Sequence, residues 1–312
     1  MFNEKATRGN FEWKETILVN ANSDVREAIA GGQNFRYPRV LIIAGSDSGG
    51  GAGIQADLKT CSAFGCYGMT AITALTAQNT RGVHAIHAVP PEFLSSQIDV
   101  VVDDIGVDAV KIGMLHNPDV VLAVVDALRR HGWRKVVLDP VMVAASGDPL
   151  ITTETVEVLV RELFPLVSVI TPNLDEAALL VGHTISDHAA LEAALAGLIS
   201  LGPKAVLLKG GHLPGEQVVD LLMQNGRPVR RMVFDRIHTR NMHGTGCSLS
   251  SAIACELAMG KSLEDAVNSA RTYVHQALAA GADVRLGGGH GPINHGYAPQ
   301  AMHKLALSGA SD

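Results

Sequence analysis

Three short stretches bring together residue types capable of chemistry. In "HGTGCSLS" (243–250), Gly244, Thr245 and Gly246 precede a helical pattern. Glycines there leave the first backbone N–H groups bare, and with the helix dipole these make a site for an anion such as a phosphoryl group. Cys247 follows in the first turn, where a proton acceptor would be placed. A free thiol titrates near ~8.5 and a helix N-terminus lowers that value. Cys247 therefore reads as a modest base near neutral pH, or as a small residue filling space beside the anion hole. In "TPNLDEA" (171–177), Asn173 and Glu176 are spaced N-x-x-E. They could hold magnesium through water, but taken alone they read as an N-cap and its capping-box acid. Asp139 in "LDPVM" and Lys209 in "LKGGH" each close an apolar run, which is where ligands bind in open α/β sheets.

The third stretch is "AGSDSGGGAGIQADLKT" (44–60). Gly51, Gly53 and Ala56 fit G-x-G-x-x-A, with Asp57 one helical turn further on. A dinucleotide fold would also place an acid about 20 residues later. The chain there reads "ALTAQNTRGV" and the next acid is Glu92, so a nicotinamide oxidoreductase is excluded. The glycines serve either to let a substrate lie against the backbone or simply to make a tight strand–helix turn. No Walker loop is present, because the glycine required ahead of "GKS" (260–262) is replaced by Cys255. Gly260 instead reads as the C-cap of the helix that begins near Thr245. His290 and His295 match no familiar metal spacing and read as incidental residues of a glycine-rich loop.

The elements that must position these groups alternate. Short β-branched runs at 40–45, 107–114, 135–141, 167–171 and 205–211 read as strands buried on both faces. Helical patterns lie between them. One opens at Asn117-Pro118, with Val121, Leu122, Val125 and Leu128 inward. Another opens at Thr152, with Val156, Leu159, Val160 and Leu163 inward. A third opens at Ser262, with Asp265 as a capping-box acid and Ala266, Val267, Ala270 and Val274 inward. "VVDLLMQNG" and "RPVRRMVFD" read as a hairpin turning at Asn225-Gly226. The expected fold is α/β, a mostly parallel central sheet with helices on both faces. Residues 1–37 are polar and aperiodic apart from one short helical stretch, and read as an appended extension to a domain over 38–312.

Composition narrows the function classes. The 312 residues carry a formal net charge of −6 and 4% aromatics, which argues against nucleic-acid binding by a basic face or by base stacking. The uncharged run from Lys59 to Arg81 holds Ser, Thr, Gln, Asn and glycines, so it reads as a buried helix–strand segment and not a membrane span. Cys61, Cys66, Cys247 and Cys255 form no CxxC pair, and with no secretory signal they read as reduced thiols of a cytoplasmic protein.

Taken together, "AGSDSGGGAGIQADLKT", "ITALTAQNTRGV", "VKIGML", "VLDPVMVAASGDPL", "ITPNLDEA", "LLKGGH" and "HGTGCSLS" resemble the hydroxymethylpyrimidine/phosphomethylpyrimidine kinases, within the ribokinase-like small-molecule kinases. The resemblance runs from about Arg39 to His295. It implies a ribokinase-like fold and ATP-dependent phosphorylation of an aminopyrimidine alcohol, then of its monophosphate, for thiamine biosynthesis. It implies Gln78, Asp57, Met114 and Gly45 around the pyrimidine, and Gly244, Thr245 and Gly246 around the transferred phosphoryl group. Cys247 would stand where sugar kinases carry an aspartate base. Asn173 and Glu176 would order Mg2+ and its waters. Lys209 and Asp139 would face the ATP phosphates, with Thr239 and Asn241 near the nucleotide. A homodimer is implied as well. A pyridoxal or pyridoxine kinase on the same scaffold, or a pyrimidine sensor without activity, are the alternatives. The amide of Gln78, donor and acceptor at once, suits an aminopyrimidine edge, and the intact Asn173, Glu176, Gly246 and Cys247 set argues against a sensor.

Overall fold

The computed structural model describes residues 35–143 and 150–307. The short helix expected within residues 1–37 lies outside them, as do residues 144–149 of the "VLDPVMVAASGDPL" stretch. The chain divides into two compact units. One is residues 37–304, and the other is formed by the segments on either side. Of the second unit the described part is β1 (Phe35–Arg36), paired antiparallel with β11 (Leu305–Ala306).

In the first unit the strands form a nine-stranded sheet ordered β10-β9-β8-β7-β6-β5-β2-β3-β4. These are β2 (Arg39–Asp47), β3 (Tyr67–Asn79), β4 (Gly82–Ala88), β5 (Ala109–Ile112), β6 (Val136–Leu138), β7 (Val169–Ile170), β8 (Ala205–Leu208), β9 (Gln217–Gln224) and β10 (Arg230–Asp235). The run from β8 through β2 to β3 is parallel, and antiparallel strands close both edges. The hairpin of β9 and β10 turns at Gly226, whose φ of 76° belongs to the left-handed region that glycine tolerates.

Alternation along each strand sorts side chains between two cores. Leu41, Ile43, Val110, Ile112 and Leu138 face one core. It is covered by α2 (Pro91–Asp104), α3 (Pro118–His131), α4 (Thr153–Val158), α5 (Leu174–Val181) and α6 (His188–Ser200). Val40, Ile42, Ala44 and Val137 face the other, covered by α1 (Gly53–Ala63), α7 (Thr245–Ala258) and α8 (Leu263–Ala280). Each fully buried aliphatic side chain contributes roughly 1.5–3 kcal/mol over leaving it in water. This two-sided burial is why the strands read as continuous apolar runs.

The helix signals act as expected at their starts. Asn117 accepts a hydrogen bond from the Val120 N–H at 2.9 Å, Thr152 accepts from Thr155 and Ser262 from Asp265. Two inward assignments are corrected. Leu122 is 44% exposed, and Val120 and Val124 point inward in its place. On α4 the buried positions are Thr155 and Val158 rather than Val156, and the helix continues as a wider π-turn over Leu159–Leu163. β3 is the strand of the helix–strand segment expected between Lys59 and Arg81, whereas β4 carries no sequence signal, because its exposed alternation lacks the buried-strand signature.

Candidate active site

The carboxyl ends of the parallel strands open into one cleft of about 510 Å3. The strand order sets the order of functional groups along it. Lys209 follows β8, Asn173 and Glu176 follow β7, and Asp139 follows β6. Lys111 and Met114 belong to β5 and its end, Gly45 and Asp47 to β2, and Gln78 to β3. The N-terminus of α7 lies against the same cleft and brings Gly244, Thr245, Gly246 and Cys247. A charged half near β6–β8 thus joins a more apolar half near β2–β4, where Met114 and Leu150 pack with Ala74, Val83 and Val141.

Gly244 caps α7 with a φ of 81°, and its Cα rests on the backbone oxygen of Gly51, leaving no room for a Cβ. The Gly244 turn therefore packs on the backbone of Gly51, and a Cβ on Gly51 would in turn run into the His243 ring. In the first turn of α7 the Thr245 N–H donates to the Met242 carbonyl at 3.3 Å, while the amides of Gly246 and Cys247 have no intrahelical acceptor and can face an anion. A Cβ on Gly246 would lie 3.2 Å from both Asp139 Oδ2 and Lys209 Nζ. The anion hole therefore adjoins the Lys209–Asp139 ion pair, whose Nζ–Oδ1 distance is 3.1 Å. Burial opposes the Lys209 charge, but Asp139 and Glu176 hold its ammonium above the usual range.

Asn173 and Glu176 realise the capping reading of the sequence. They form a capping box, with Glu176 N–H to Asn173 Oδ1 at 2.9 Å and Asn173 N–H to Glu176 Oε2 at 2.8 Å. They also line the cleft. Burial pushes the Glu176 carboxyl up to about 7, with Lys209 opposing and Asp139 assisting. A buried carboxyl beside Asp139 offers the hard oxygen donors that suit magnesium. Among the described residues no cluster of three or more His, Cys, Asp or Glu forms a complete metal cage.

Gln78 lines the cleft next to a bulge in the β3–β4 ladder, and Gly45 sits at a bulge between β2 and β3. Bulges re-aim side chains at such rims. Thr76 Oγ1 donates to Gln78 Oε1 at 3.0 Å, and Gln78 Nε2 lies 3.5 Å from His243 Nε2. Gly45 is in contact with Met114, so those two residues share a wall.

The thiol expectation is corrected. Burial pushes Cys247 up to about 12. Asp57 and Asp139 add to the rise, while Lys111 and the Gly53 N–H oppose it without reversing it. At neutral pH Cys247 is a neutral thiol, because desolvation outweighs Lys111 and the Gly53 N–H. Three further placements differ from expectation. Asp57 does not line the cleft. It is fully buried, 2.9 Å from Lys111 Nζ and 2.7 Å from Ser251 Oγ. Thr239 and Asn241 also lie outside the cleft wall. Thr239 Oγ1 donates to the Ala282 carbonyl, and Asn241 Nδ2 to those of Gly281 and Val284, so the pair ties down the loop after α8. His290 lines the cleft, whereas His295 is buried against Ser248, its imidazole held down at about 4 by burial.

Sequence reasoning missed Asp47, His243 and Lys111. Asp47 accepts hydrogen bonds from the N–H groups of Gly49, Gly51 and Ala52 and lies 3.0 Å from His243 Nε2. Burial works against its charge, but these partners hold its carboxyl below the usual range. Its signal was the acid at the end of the first strand, and the signal for Lys111 was a charge inside an apolar one.

A model of the phosphomethylpyrimidine kinase family matches residues 47–294. A hydroxymethylpyrimidine/phosphomethylpyrimidine kinase of Rhizobium meliloti is 52% identical over 256 residues, covering 82% of this chain and 96% of that protein. The crystal structure of phosphomethylpyrimidine kinase from Clostridium difficile superposes with a TM-score of 0.68 at 43% identity, covering 77% of this chain and 99% of that one. A pyridoxal kinase of Staphylococcus aureus, solved with AMP-PCP and pyridoxal, superposes with a TM-score of 0.76 at 31% identity, covering 84% and 94%.

Proposed function

The chain belongs to the phosphomethylpyrimidine kinase family, and from that premise we propose how this cleft works. It transfers the γ-phosphoryl group of ATP to 4-amino-5-hydroxymethyl-2-methylpyrimidine, then a second one to the monophosphate, giving the diphosphate used to build thiamine phosphate. The observation that carries this reading is the order of groups along the cleft. The glycine-led start of α7 adjoins the Lys209–Asp139 pair, and Gln78 with Met114 line the β2–β4 side of the same cleft.

The pyrimidine lies in the apolar half against Met114 and Gly45, with the Gln78 amide on its polar edge. The triphosphate lies in the charged half, its γ-phosphoryl group on the amides of Gly246 and Cys247. Lys209 neutralises charge on the transferring oxygens. Glu176, Asn173 and Asp139 would hold magnesium, which supplies further charge neutralisation on the phosphates. In the first transfer the hydroxymethyl oxygen attacks phosphorus, the bond to the ADP oxygen breaks and the hydroxyl proton is released. In the second the attacking oxygen belongs to an ionised phosphate and has no proton to lose. The transition state of phosphoryl transfer is loose, so positioning and charge neutralisation dominate and a strong base is unnecessary. That agrees with a neutral thiol at Cys247.

The superposition on a pyridoxal kinase favours a second reading, in which pyridoxal is also a substrate. The proposal extends to a cytoplasmic enzyme acting as a homodimer, without nucleic-acid or membrane partners. Among the described residues no helix is long and apolar enough to cross a membrane. The purified protein should be incubated with magnesium-ATP and either the pyrimidine alcohol or pyridoxal, and mono- and diphosphates resolved chromatographically. Both pyrimidine phosphates should form in sequence. Pyridoxal phosphate alone would overturn the primary reading.

A further inference from the structure

Lys111 breaks the pattern of its own strand. On β5, Val110 and Ile112 face one core, while Ala109 and Lys111 face the other, beneath α1 and α7. Position 111 is therefore one where alternation calls for an apolar side chain. The lysine there is fully buried and is among the largest fully buried side chains of the described residues. An uncompensated ammonium in such a place is strongly unfavourable. Asp57 compensates it at 2.9 Å, and the other Asp57 oxygen accepts from Ser251 Oγ at 2.7 Å. Ser251 lies one helical turn beyond Cys247 on α7. The ion pair is thus fastened to the helix that carries the anion hole.

The pair is also oriented. Lys111 borders the cleft, whereas Asp57 lies behind it and does not. A hydrophobic pair of the same volume would pack this core at least as well, since a buried ion pair is weak evidence of stability. What the pair adds is a fixed dipole with its positive end toward the cleft. Its Coulomb effect reaches Cys247, and Asp57 holds the Lys111 ammonium above its usual range against the effect of burial. The other charges of the acceptor half are already committed, Asp47 to His243 and the loop amides.

The proposed reaction makes two acceptors enter one cleft, a neutral alcohol and a phosphate monoester with close to two negative charges. We propose that Lys111 is the positioning residue that favours the second. Held behind Cys247 with Asp57 on its far side, it presents positive potential to the incoming phosphate and leaves the alcohol indifferent. This rests on the two-step reading above.

The test is the ratio of kcat/KM for the monophosphate to kcat/KM for the alcohol, measured in a single protein preparation. General damage to the fold cancels in that ratio. Lys111→Met removes the charge, and the double variant Lys111→Met with Asp57→Asn removes it without leaving a buried carboxylate unpaired. Both variants should lower the ratio on the order of tenfold, the scale of one charge acting over several ångströms in a medium of intermediate polarity. The change should appear mainly as a higher KM for the monophosphate. A ratio unchanged from wild type in the double variant overturns the assignment and makes the pair a packing feature. A wild-type enzyme that phosphorylates the alcohol but never the monophosphate refutes the two-step reading itself, and this inference with it.

Discussion

Glu176→Gln should flatten part of the pH dependence of stability. The Glu176 carboxyl is 3% exposed and is pushed up to about 7 from an ordinary value of 4.5, first by burial. The unfolded chain therefore loses this proton at lower pH than the folded one. Between those two values the folded state binds more protons, so stability falls as pH rises. The contribution is fully present below 4.5 and is lost by the time the pH has passed about 7. At about 1.4 kcal/mol per pKa unit the full shift corresponds to about 3 kcal/mol. Relaxation around the buried carboxyl reduces what is realised to about 1–3 kcal/mol. Glutamine keeps an acceptor for the Asn173 N–H, so the helix cap survives while the titration is removed. Thermal unfolding of both proteins without metal, from pH 5 to 7.5, checks this. The Tm difference between variant and wild type should move in favour of the variant by several degrees across that range. Magnesium should stabilise wild type more than Glu176→Gln at pH 7.5. Parallel pH profiles for the two proteins would refute the argument that burial governs this carboxyl.

Cys247→Asp should impair the second phosphorylation more than the first. The neutral thiol becomes a carboxylate beside Asp57 and Asp139, which repels a phosphorylated acceptor by about 1–3 kcal/mol at intermediate dielectric. Cys247→Ala should lower both steps by similar factors, since a thiol pushed up to about 12 is no base at neutral pH. Single-turnover assays from the alcohol and from the monophosphate check both, and selective loss of the first step in Cys247→Ala would restore the base. Gln78→Leu should weaken pyrimidine binding by about 1–3 kcal/mol, as one amide partner of a buried ring edge is lost. Its ATP affinity should be unaffected, and calorimetric titration with each ligand reads both values.

The part of the architecture that follows local rules was legible in the chain. Runs such as "VLIIAG" and "AVLLKGG" announce strands buried on both faces because nothing polar interrupts them. Asn117, Thr152, Asn173 and Ser262 announce helix starts because a short side chain reaches an amide three residues on. The glycine-led start of α7 was legible for the same reason, since glycines ahead of a helix act through their own backbone. The hairpin at Asn225-Gly226 needed only a residue able to take a positive φ.

Tertiary structure decided whatever depends on burial or on groups distant in sequence. Cys247 looked activated because one helix terminus was visible in its sequence surroundings. The desolvation and the carboxylates of Asp57 and Asp139 that raise its pKa come from α1 and β6. Asp57 looked like a pocket acid until Lys111 and Ser251, 54 and 194 residues away, enclosed it. Thr239 and Asn241 stand just ahead of the anion hole in sequence, yet they hold carbonyls of residues 281–284. The exposed alternation of β4 carried no apolar run to mark it, and it became a strand by pairing with β3. Local hydrogen bonding and hydrophobic periodicity are written in neighbouring residues. Electrostatic free energies are set by every charge and every excluded water within several ångströms, and only the fold assembles those.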